Sequence, residues 1–157
     1  MSEPVHAPAG SGAVNRAFGL TRRTRIAAAD TDGAFAIWEE EVPAGRGPPL
    51  HVHRREHEVF TILSGRMRFV ADGIERAVGP GDVMMIPPGV PHTFQALEDA
   101  VALVQLSPGM AGGFFAAVTD AGVDPATDMD RVREIAAAHN IEFVGPPLGP
   151  PQAPKTA

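Results

Sequence analysis

The sequence predicts an all-β domain, a small barrel or sandwich, followed by a short helical extension. Between about residues 20 and 107, runs rich in Val, Ile and Phe are separated by Gly, Pro and Asp at intervals of roughly 8 to 12 residues, which is typical of such folds. After Pro108 the chain becomes alanine-rich, with helical spacing of its apolar residues. A chain of 157 residues suffices for one domain with a substantial core and is too short for two of ordinary size.

Eight segments of the β-rich region are candidate strands. In chain order they are RIAAA, AFAIWEEEV, HEVFTIL, RMRFVA, IERAV, DVMMIP, HTFQAL and AVALVQL. Two of the links between them, Ser64-Gly65 and Asp72-Gly73, suit tight hairpin turns, because glycine accepts a positive φ without steric cost. We therefore expect consecutive strands to pair as a meander.

Two helices are predicted after Pro108. The first contains Phe114 and Phe115 and either closes one mouth of the barrel or packs on its outside. The second lies within DPATDMDRVREIAAAHN, where Asp124 before Pro125 is a favourable cap, and the following IEFVG is a short strand or a docked arm. The expected organisation is a disordered tail over 1–13, a barrel over 14–107, a helical extension packed on the barrel over 108–144, and a Pro-rich tail over 145–157.

Composition excludes several classes of function. The net charge of −6 argues against binding to nucleic acid or to an anionic membrane, and the short clusters Arg22-Arg23-Arg25 and Arg54-Arg55 are expected on the solvated surface. No apolar run approaches the roughly 20 residues needed to cross a bilayer, and the N-terminus lacks the features of a signal peptide, so we expect a soluble cytoplasmic protein.

Two residue types are missing from the chain. The absence of Cys excludes disulfides and thiolate ligands, and the absence of Tyr, with Lys155 the single lysine, leaves His, Glu and Asp as general acids or bases.

The stretch HVHRREHE, residues 51–58, contains half of the six histidines of the chain. His51 and His53 are two residues apart, so on an extended strand both imidazoles point to the same face. Glu58 has the opposite parity and joins them only if the chain turns at residues 54–56. His92, after PPGVP, arrives from a separate strand. The intervening Glu56 and His57 are expected on the solvated turn, although His57 can approach a neighbouring subunit.

These four side chains form a candidate metal site of three imidazoles and one carboxylate. Nitrogen and oxygen donors of this kind suit one divalent ion per chain, either Fe, Mn, Ni, Co, Cu or Zn, and affinity alone does not choose among them. With three neutral imidazoles and one carboxylate, the site keeps a net charge of +1. An ion of five or six ligands would retain open positions, which favours an anionic oxygen ligand such as an enolate or a carboxylate.

The spacing of these residues resembles the cupin family. Its first motif, G-x5-H-x-H-x3-4-E-x6-G, is matched at every interval, and its second, G-x5-P-x-G-x2-H-x3-N, is matched except at its last position, where Ala96 replaces Asn. The matching residues are Gly45, His51, His53, Glu58, Gly65, Gly81, Pro87, Gly89 and His92. That last position is not a metal ligand in the family, so the resemblance implies a metal-binding double-stranded β-helix, a conical jelly-roll barrel, with the ion inside. Members of the family pack or exchange N-terminal strands, which implies a homodimer.

More loosely, the stretches HVHRREHEVFTILSGRMRF, GPGD, PPGVPHTF and NIEFVGPP resemble small bacterial cupins described as quercetin-dioxygenase-like. This resemblance implies an oxidoreductase of dioxygenase type acting on a small enolic or aromatic, flavonol-like substrate with O2. In such enzymes the residue matching Glu58 can also act as a base toward the substrate hydroxyl, so Glu58 is the candidate catalytic residue. The alternatives are a non-redox isomerase, cyclase or lyase, and a metal-dependent module that binds a small molecule without turnover.

The substrate pocket is expected to be apolar. Arg66, Arg68 and Arg76 are expected to alternate outward from the barrel, which argues against a phosphosugar substrate. The candidate pocket residues are Phe35, Trp38, Phe60, Met67, Phe69, Met84, Ile86 and Phe94.

Overall fold

A computed structural model describes residues 3–151 and contains two facing β-sheets with two short helices at one side. The strands are β1 (Val14–Ala17), β2 (Leu20–Ile26), β3 (Ala36–Val42), β4 (His51–His53), β5 (His57–Ser64), β6 (Met67–Ala71), β7 (Ile74–Val78), β8 (Val83–Ile86), β9 (His92–Ala96), β10 (Ala100–Ser107) and β11 (Ile141–Phe143). The helices are α1 (Phe114–Asp120) and α2 (Met129–Ala138).

The strand order confirms the all-β jelly roll and shows that the predicted meander is wrong. One sheet has the order β1-β2-β3-β10-β5-β8 and the other the order β11-β4-β9-β6-β7, with antiparallel neighbours. Asp72-Gly73 joins the paired strands β6 and β7, as predicted, with φ angles of 50° and 73°. Ser64-Gly65, in contrast, leads the chain from one sheet to the other, because β5 pairs with β10 and β8 while β6 pairs with β7 and β9.

The core lies between the sheets and follows the alternation of the sequence. On β3 and β10 every second residue is buried, and Trp38, Val104 and Phe60 lie side by side across β3, β10 and β5. Three aromatic rings fill the space between the sheets, with centroids of Phe60 and Phe69 4.9 Å apart and those of Phe60 and Phe94 5.3 Å apart. Because successive side chains of a strand point to opposite faces, this alternation places one face of each sheet in the core.

Strands β1 and β2 are the main elements that the sequence does not predict. The predicted strand RIAAA contributes only Arg25 and Ile26 to β2, and a 3-10 turn follows at Ala28–Thr31. The sequence of β2, LTRRTRI, lacks an alternation of apolar and polar residues. Its place in the sheet is supported instead by ion pairs with β3, including Arg25 Nη1 to Glu39 Oε2 at 3.0 Å.

The helical segment also differs in detail from the prediction. Asp128 caps α2 by accepting a hydrogen bond from the Arg131 amide at 3.1 Å, so the predicted cap at Asp124 is wrong. Asp124 instead accepts from the Ala126 amide at 2.9 Å within the preceding turn. The segment IEFVG forms a strand, since β11 pairs with β4 and thereby extends the sheet beyond the predicted barrel boundary at 107. Helix α1 packs on β1, and α2 packs on β11.

Both terminal segments, expected as tails, lie along the barrel where the structure describes them. Arg25 Nη2 donates to the carbonyls of Ala7 and Pro8 at 2.7 and 2.8 Å. Near the other end, the Leu50 amide donates to the Pro146 carbonyl at 3.1 Å, and Arg68 donates to the Gly149 carbonyl. Residues 152–157 of the predicted Pro-rich tail lie outside the described part of the chain.

Within residues 3–151, none of the helices has the length and apolar character required to cross a bilayer. A cytoplasmic location remains a prediction from the sequence.

Candidate metal site

Three strands from both sheets bring the predicted ligands to one point. His51 and His53 lie on β4, and His92 lies directly opposite His51 on β9 of the same sheet. Glu58 lies on β5 of the facing sheet. The ligand atoms of these four buried side chains all lie within 4.8 Å of one another, so the cluster can hold one metal ion.

The carboxylate of Glu58 is already in contact with two of the imidazoles. Its Oε2 lies 2.9 Å from Nε2 of His92 and 3.3 Å from Nε2 of His53. Residues 54–56 form the turn that the sequence requires before Glu58 can face the histidines, but β5 then enters the opposite sheet instead of running beside β4. The four candidate ligands therefore come from both sheets, and no single strand carries all of them.

Backbone carbonyls orient two of the three imidazoles. The Nδ1 of His51 lies 2.8 Å from the Pro49 carbonyl, and the Nδ1 of His92 lies 2.9 Å from the Val90 carbonyl. A carbonyl only accepts, so each Nδ1 must carry a proton, and Nε2 is the nitrogen left to bind a metal when the imidazole is neutral. Such outer hydrogen bonds fix the tautomer that a metal requires. The donor set and its tautomers therefore fit a divalent ion.

The charge states of the ligands fit the same purpose. Burial, reinforced by His92 and His53, lowers the pKa of His51 well below 6.5. Burial alone would raise the pKa of Glu58, but the charges and hydrogen bonds of His53 and His92 outweigh it, so the pKa lies well below 4.5. At neutral pH His51 is therefore a neutral imidazole and Glu58 an anion, the forms in which both residues bind metal.

Aromatic side chains line a small cavity over the ligands. The cavity has a volume of about 30 Å³. Its walls beyond the ligands are Phe18, Leu20, Arg22, Glu40, Pro48, Phe94, Phe114, Phe115, Ile141 and Phe143. The rings of Phe18 and Phe143 are 5.5 Å apart, and those of Phe114 and Phe143 are 6.1 Å apart, so the aromatic walls contact one another. Helix α1 therefore contributes to closing the barrel near the ligands.

Phe18 reaches this cluster from an uncommon backbone conformation. It forms the two-residue turn between β1 and β2 together with Gly19, with φ angles of 55° and 75°. A positive φ is rare for a bulky residue, and it is consistent with a hairpin turn of the primed type. The turn directs the Phe18 ring to within 6.4 Å of Phe114.

A buried ion pair in the cavity wall is a feature that sequence reasoning missed. Arg22 Nη2 lies 3.3 Å from Glu40 Oε2, and the Arg22 guanidinium carbon lies 4.0 Å from the Trp38 ring centroid and 3.7 Å from that of Phe115. Trp38 Nε1 also donates to Glu40 at 2.7 Å. The expected solvated position of Arg22 and the wholly apolar pocket are therefore wrong. Alternation from buried Leu20 would have placed Arg22 on the inner face.

Only one of the eight predicted pocket residues, Phe94, lines the cavity. The others fill the barrel or its rim: Trp38, Phe60, Met67, Phe69 and Ile86 are buried in the core, and Phe35 and Met84 are half-buried. The alternation of a strand gives the face to which a side chain points. It does not give the distance along the barrel from the metal ligands, so core and pocket residues are not separated by sequence pattern.

Glu56 and His57, both expected on the surface, have different environments. His57 is exposed, as predicted. Glu56 is only 1% exposed, so its predicted surface position is wrong. The reason is the turn itself, which folds the Glu56 side chain back toward His53.

The comparisons with known families agree with this fold and site. A family model described as the cupin domain matches residues 38–107, which include all four candidate ligands. An RmlC-like cupin from Shewanella frigidimarina superposes with a TM-score of 0.59 and 20% sequence identity over 69% of this chain and 96% of that chain. Residues 38–107 are therefore a cupin domain, and the two-sheet fold of the chain agrees with that of solved cupins.

Two curated relatives are similar over part of their length. The quercetin 2,3-dioxygenase of Bacillus subtilis is 33% identical over 99 residues, which cover 61% of this chain and 29% of that protein. The oxidoreductase iacF of Pestalotiopsis fici is 43% identical over 100 residues, which cover 60% of this chain and 41% of that protein. The chain therefore spans less than half the length of either relative.

Proposed function

We propose that this cupin is a metal-dependent oxidoreductase of dioxygenase type that acts on a small enolic or aromatic, flavonol-like substrate with O2. The observation that carries the proposal is the buried cluster of His51, His53, Glu58 and His92, whose ligand atoms lie within 4.8 Å of one another. The partial similarity to a quercetin dioxygenase and to an oxidoreductase supports the oxidative assignment.

A redox-active divalent ion in this cluster would supply Lewis acidity toward a substrate oxygen and one-electron chemistry with O2. The protein contributes largely apolar surroundings, because aromatic rings line the cavity over the ligands. It also contributes a negative charge, since Glu58 is ionised at neutral pH. The Glu58 carboxylate, in contact with the imidazoles of His53 and His92, would attract a cation and help to hold it between the sheets.

Glu58 is also the proposed catalytic base toward a substrate hydroxyl. A carboxylate whose pKa lies well below 4.5 is a good ligand and a weak base. It can accept the proton only from a hydroxyl whose own pKa is lowered, which an enol or phenol beside a cation satisfies. The base role therefore favours an acidic hydroxyl and disfavours an ordinary sugar alcohol.

The substrate must displace part of the aromatic wall. A cavity of about 30 Å³ is far smaller than the roughly 300 to 1,000 Å³ of ordinary small-molecule pockets. Phe18 and Phe143 reach the cavity from a two-residue turn and a three-residue strand, and both are half-buried, whereas the other aromatic rings of the wall are buried. We infer that movement of these rings admits the substrate, and that Arg22 in the wall attracts an anionic form of it.

The test is metal analysis of protein purified without added metal, followed by O2 uptake across a panel of flavonols and β-diketones. We expect a bound divalent ion, O2 consumption with at least one compound, and no turnover without O2. Turnover under anaerobic conditions, or with Zn(II), would instead indicate a non-redox isomerase, cyclase or lyase. Ligand binding without any turnover would indicate a binding module.

We also propose that the protein is a homodimer. Strand β8 is an edge of the six-stranded sheet, and its residues Val83 and Met85 are 62% and 51% exposed. An edge strand with exposed apolar side chains is a liability that pairing with a second copy would remove. Sedimentation should give the mass of two chains, and a monomer at micromolar concentration would contradict the proposal.

A further inference from the structure

The three histidines of the candidate site differ in how their outer nitrogen is satisfied. His51 and His92 direct Nδ1 at backbone carbonyls at 2.8 and 2.9 Å. The Nδ1 of His53 is buried and has no hydrogen-bond partner among the described residues. Because a histidine that binds metal through Nε2 carries its proton on Nδ1, His53 lacks the acceptor that its two neighbours have.

The carboxylate of Glu56 lies near this unpartnered nitrogen of His53. Its Oε2 lies 4.0 Å from the Nδ1 of His53 and accepts a hydrogen bond from the Arg55 amide at 3.2 Å. Its Oε1 is buried without a hydrogen-bond partner in the described chain, and the residue is only 1% exposed. A buried carboxylate with an unpartnered oxygen costs free energy unless a charged or hydrogen-bonding group compensates it.

We propose that Glu56 is a positioning residue that accepts the Nδ1 proton of His53 and thereby orients this imidazole toward a metal ion. The inference rests on the proposed metal site and does not depend on the reaction performed there. A normal hydrogen bond requires the two side chains to approach by about 1 Å from their present separation. The 4.0 Å separation between Glu56 Oε2 and the unpartnered Nδ1 of His53 supports this role, as does Glu58 Oε2 at 3.3 Å from the other nitrogen of the same imidazole.

The proposed contact also balances the charge of the site. A divalent ion with three neutral imidazoles and Glu58 carries a net charge of +1, and the charge of Glu56 brings the local sum to zero. Since burying an uncompensated charge is costly, Glu56 stabilises the loaded site and raises the basicity of His53 as a ligand. In the metal-free protein the same carboxylate lacks this compensation.

Titration of the metal-free protein with Co2+ tests the assignment, using Glu56→Leu, Glu56→Gln and His57→Ala. We expect Glu56→Leu to weaken Co2+ binding by about 10- to 100-fold and to change the visible spectrum of the bound ion. Glu56→Gln should restore a large part of the affinity, because its amide oxygen still accepts from Nδ1. His57→Ala, which removes the adjacent exposed imidazole, should match wild type in affinity and spectrum.

The unfolding of the metal-free variants separates positioning from simple packing. Because Glu56→Leu removes a buried unpartnered oxygen, the metal-free variant should unfold at a urea concentration no lower than wild type. Wild-type affinity and spectrum in Glu56→Leu would overturn the inference. The inference would also be overturned if Glu56→Leu lowered the stability of the metal-free protein and Glu56→Gln bound Co2+ no more tightly than Glu56→Leu. If wild type itself fails to bind Co2+, the proposed metal site fails, and Glu56 has no metal to position.

Discussion

The Nε2 atom of His92 on β9 lies 2.9 Å from the Oε2 atom of Glu58 on β5, so one contact bridges the two sheets of the barrel. A cation held by these two side chains and the imidazoles of β4 would link the sheets. A metal ion that binds the folded protein and not the unfolded chain raises the free energy of unfolding.

His92→Ala should remove most of this stabilisation. At 100 times its dissociation constant, Co2+ is expected to raise the free energy of unfolding of wild type by about 2.7 kcal/mol. If loss of the ligand weakens binding about 100-fold, the same concentration gives about 0.4 kcal/mol. Urea unfolding with and without Co2+ measures both values. An undiminished metal effect in His92→Ala would remove His92 from the ligand set.

Glu58→Gln should impair both binding and turnover. The amide retains an oxygen donor but lacks the negative charge and the capacity to accept a proton. With the ion at saturation, we expect kcat for an active substrate to fall by about 100-fold or more. The exposed Glu98→Gln provides a matched control that should keep wild-type kcat. Full turnover by Glu58→Gln would contradict the proposed base and leave Glu58 as a ligand at most.

The stability of the metal-free protein should fall as the pH is lowered. The folded pKa of His51 lies well below 6.5, so below this pH the unfolded state binds a proton that the folded state does not. The stability is therefore lost progressively as pH falls from 6.5 toward the folded pKa. Glu58, whose folded pKa lies well below 4.5, adds a second loss below pH 4.5. Urea midpoints measured from pH 7.5 to about 2.5 should reveal both.

The contribution of His51 to the change of stability with pH can be isolated by mutation. One proton changes the free energy of unfolding by at most about 1.4 kcal/mol per pH unit. His51→Ala should flatten the slope between pH 7 and 5, whereas His57→Ala, at an exposed position, should retain it. Equal slopes in wild type and His51→Ala would show that His51 is not the titrating group.

Breaking the ion pair in the cavity wall should destabilise the fold strongly. Arg22→Met leaves the buried carboxylate of Glu40 with its Trp38 N–H donor and without its cation, at an expected cost of about 3 to 5 kcal/mol. The double variant Arg22→Met/Glu40→Gln removes the charge and keeps an oxygen for Trp38, so it should be more stable than Arg22→Met. Urea unfolding of metal-free protein measures this, and additive losses would contradict a coupled pair.

The turn glycines Gly65 and Gly73 provide a matched pair for a steric prediction. Their φ angles are 74° and 73°, but a Cβ at Gly65 would lie 2.3 Å from the Asp99 carbonyl oxygen, whereas a Cβ at Gly73 meets nothing within 4 Å. Gly73→Ala should cost about 1 to 2 kcal/mol for the left-handed conformation alone. Gly65→Ala should cost about 1 to 3 kcal/mol more, because the backbone must move. Equal urea midpoints would contradict the close approach.

The sequence predicted the all-β class and the shared face of His51 and His53 because both depend on short-range order. Alternating runs identify strands, and the spacing of His51 and His53 places both imidazoles on one face whatever the remaining chain does. Strand β2 was not predicted because ion pairs with β3, such as that between Arg25 and Glu39, replace apolar contacts there. The helix cap was misplaced by four residues because a turn separates Asp124 from α2.

The sequence by itself determined which residue types are available to a metal and which faces of their strands they occupy. Only the tertiary structure decided that β5 crosses to the second sheet, that Arg22 enters the cavity wall, and that Glu56 is buried beside His53. The physical reason is that parity fixes a direction within one strand. The distance of a side chain from the metal ligands depends on how the two sheets close on each other. So does the choice of side chains that contact one another across the core.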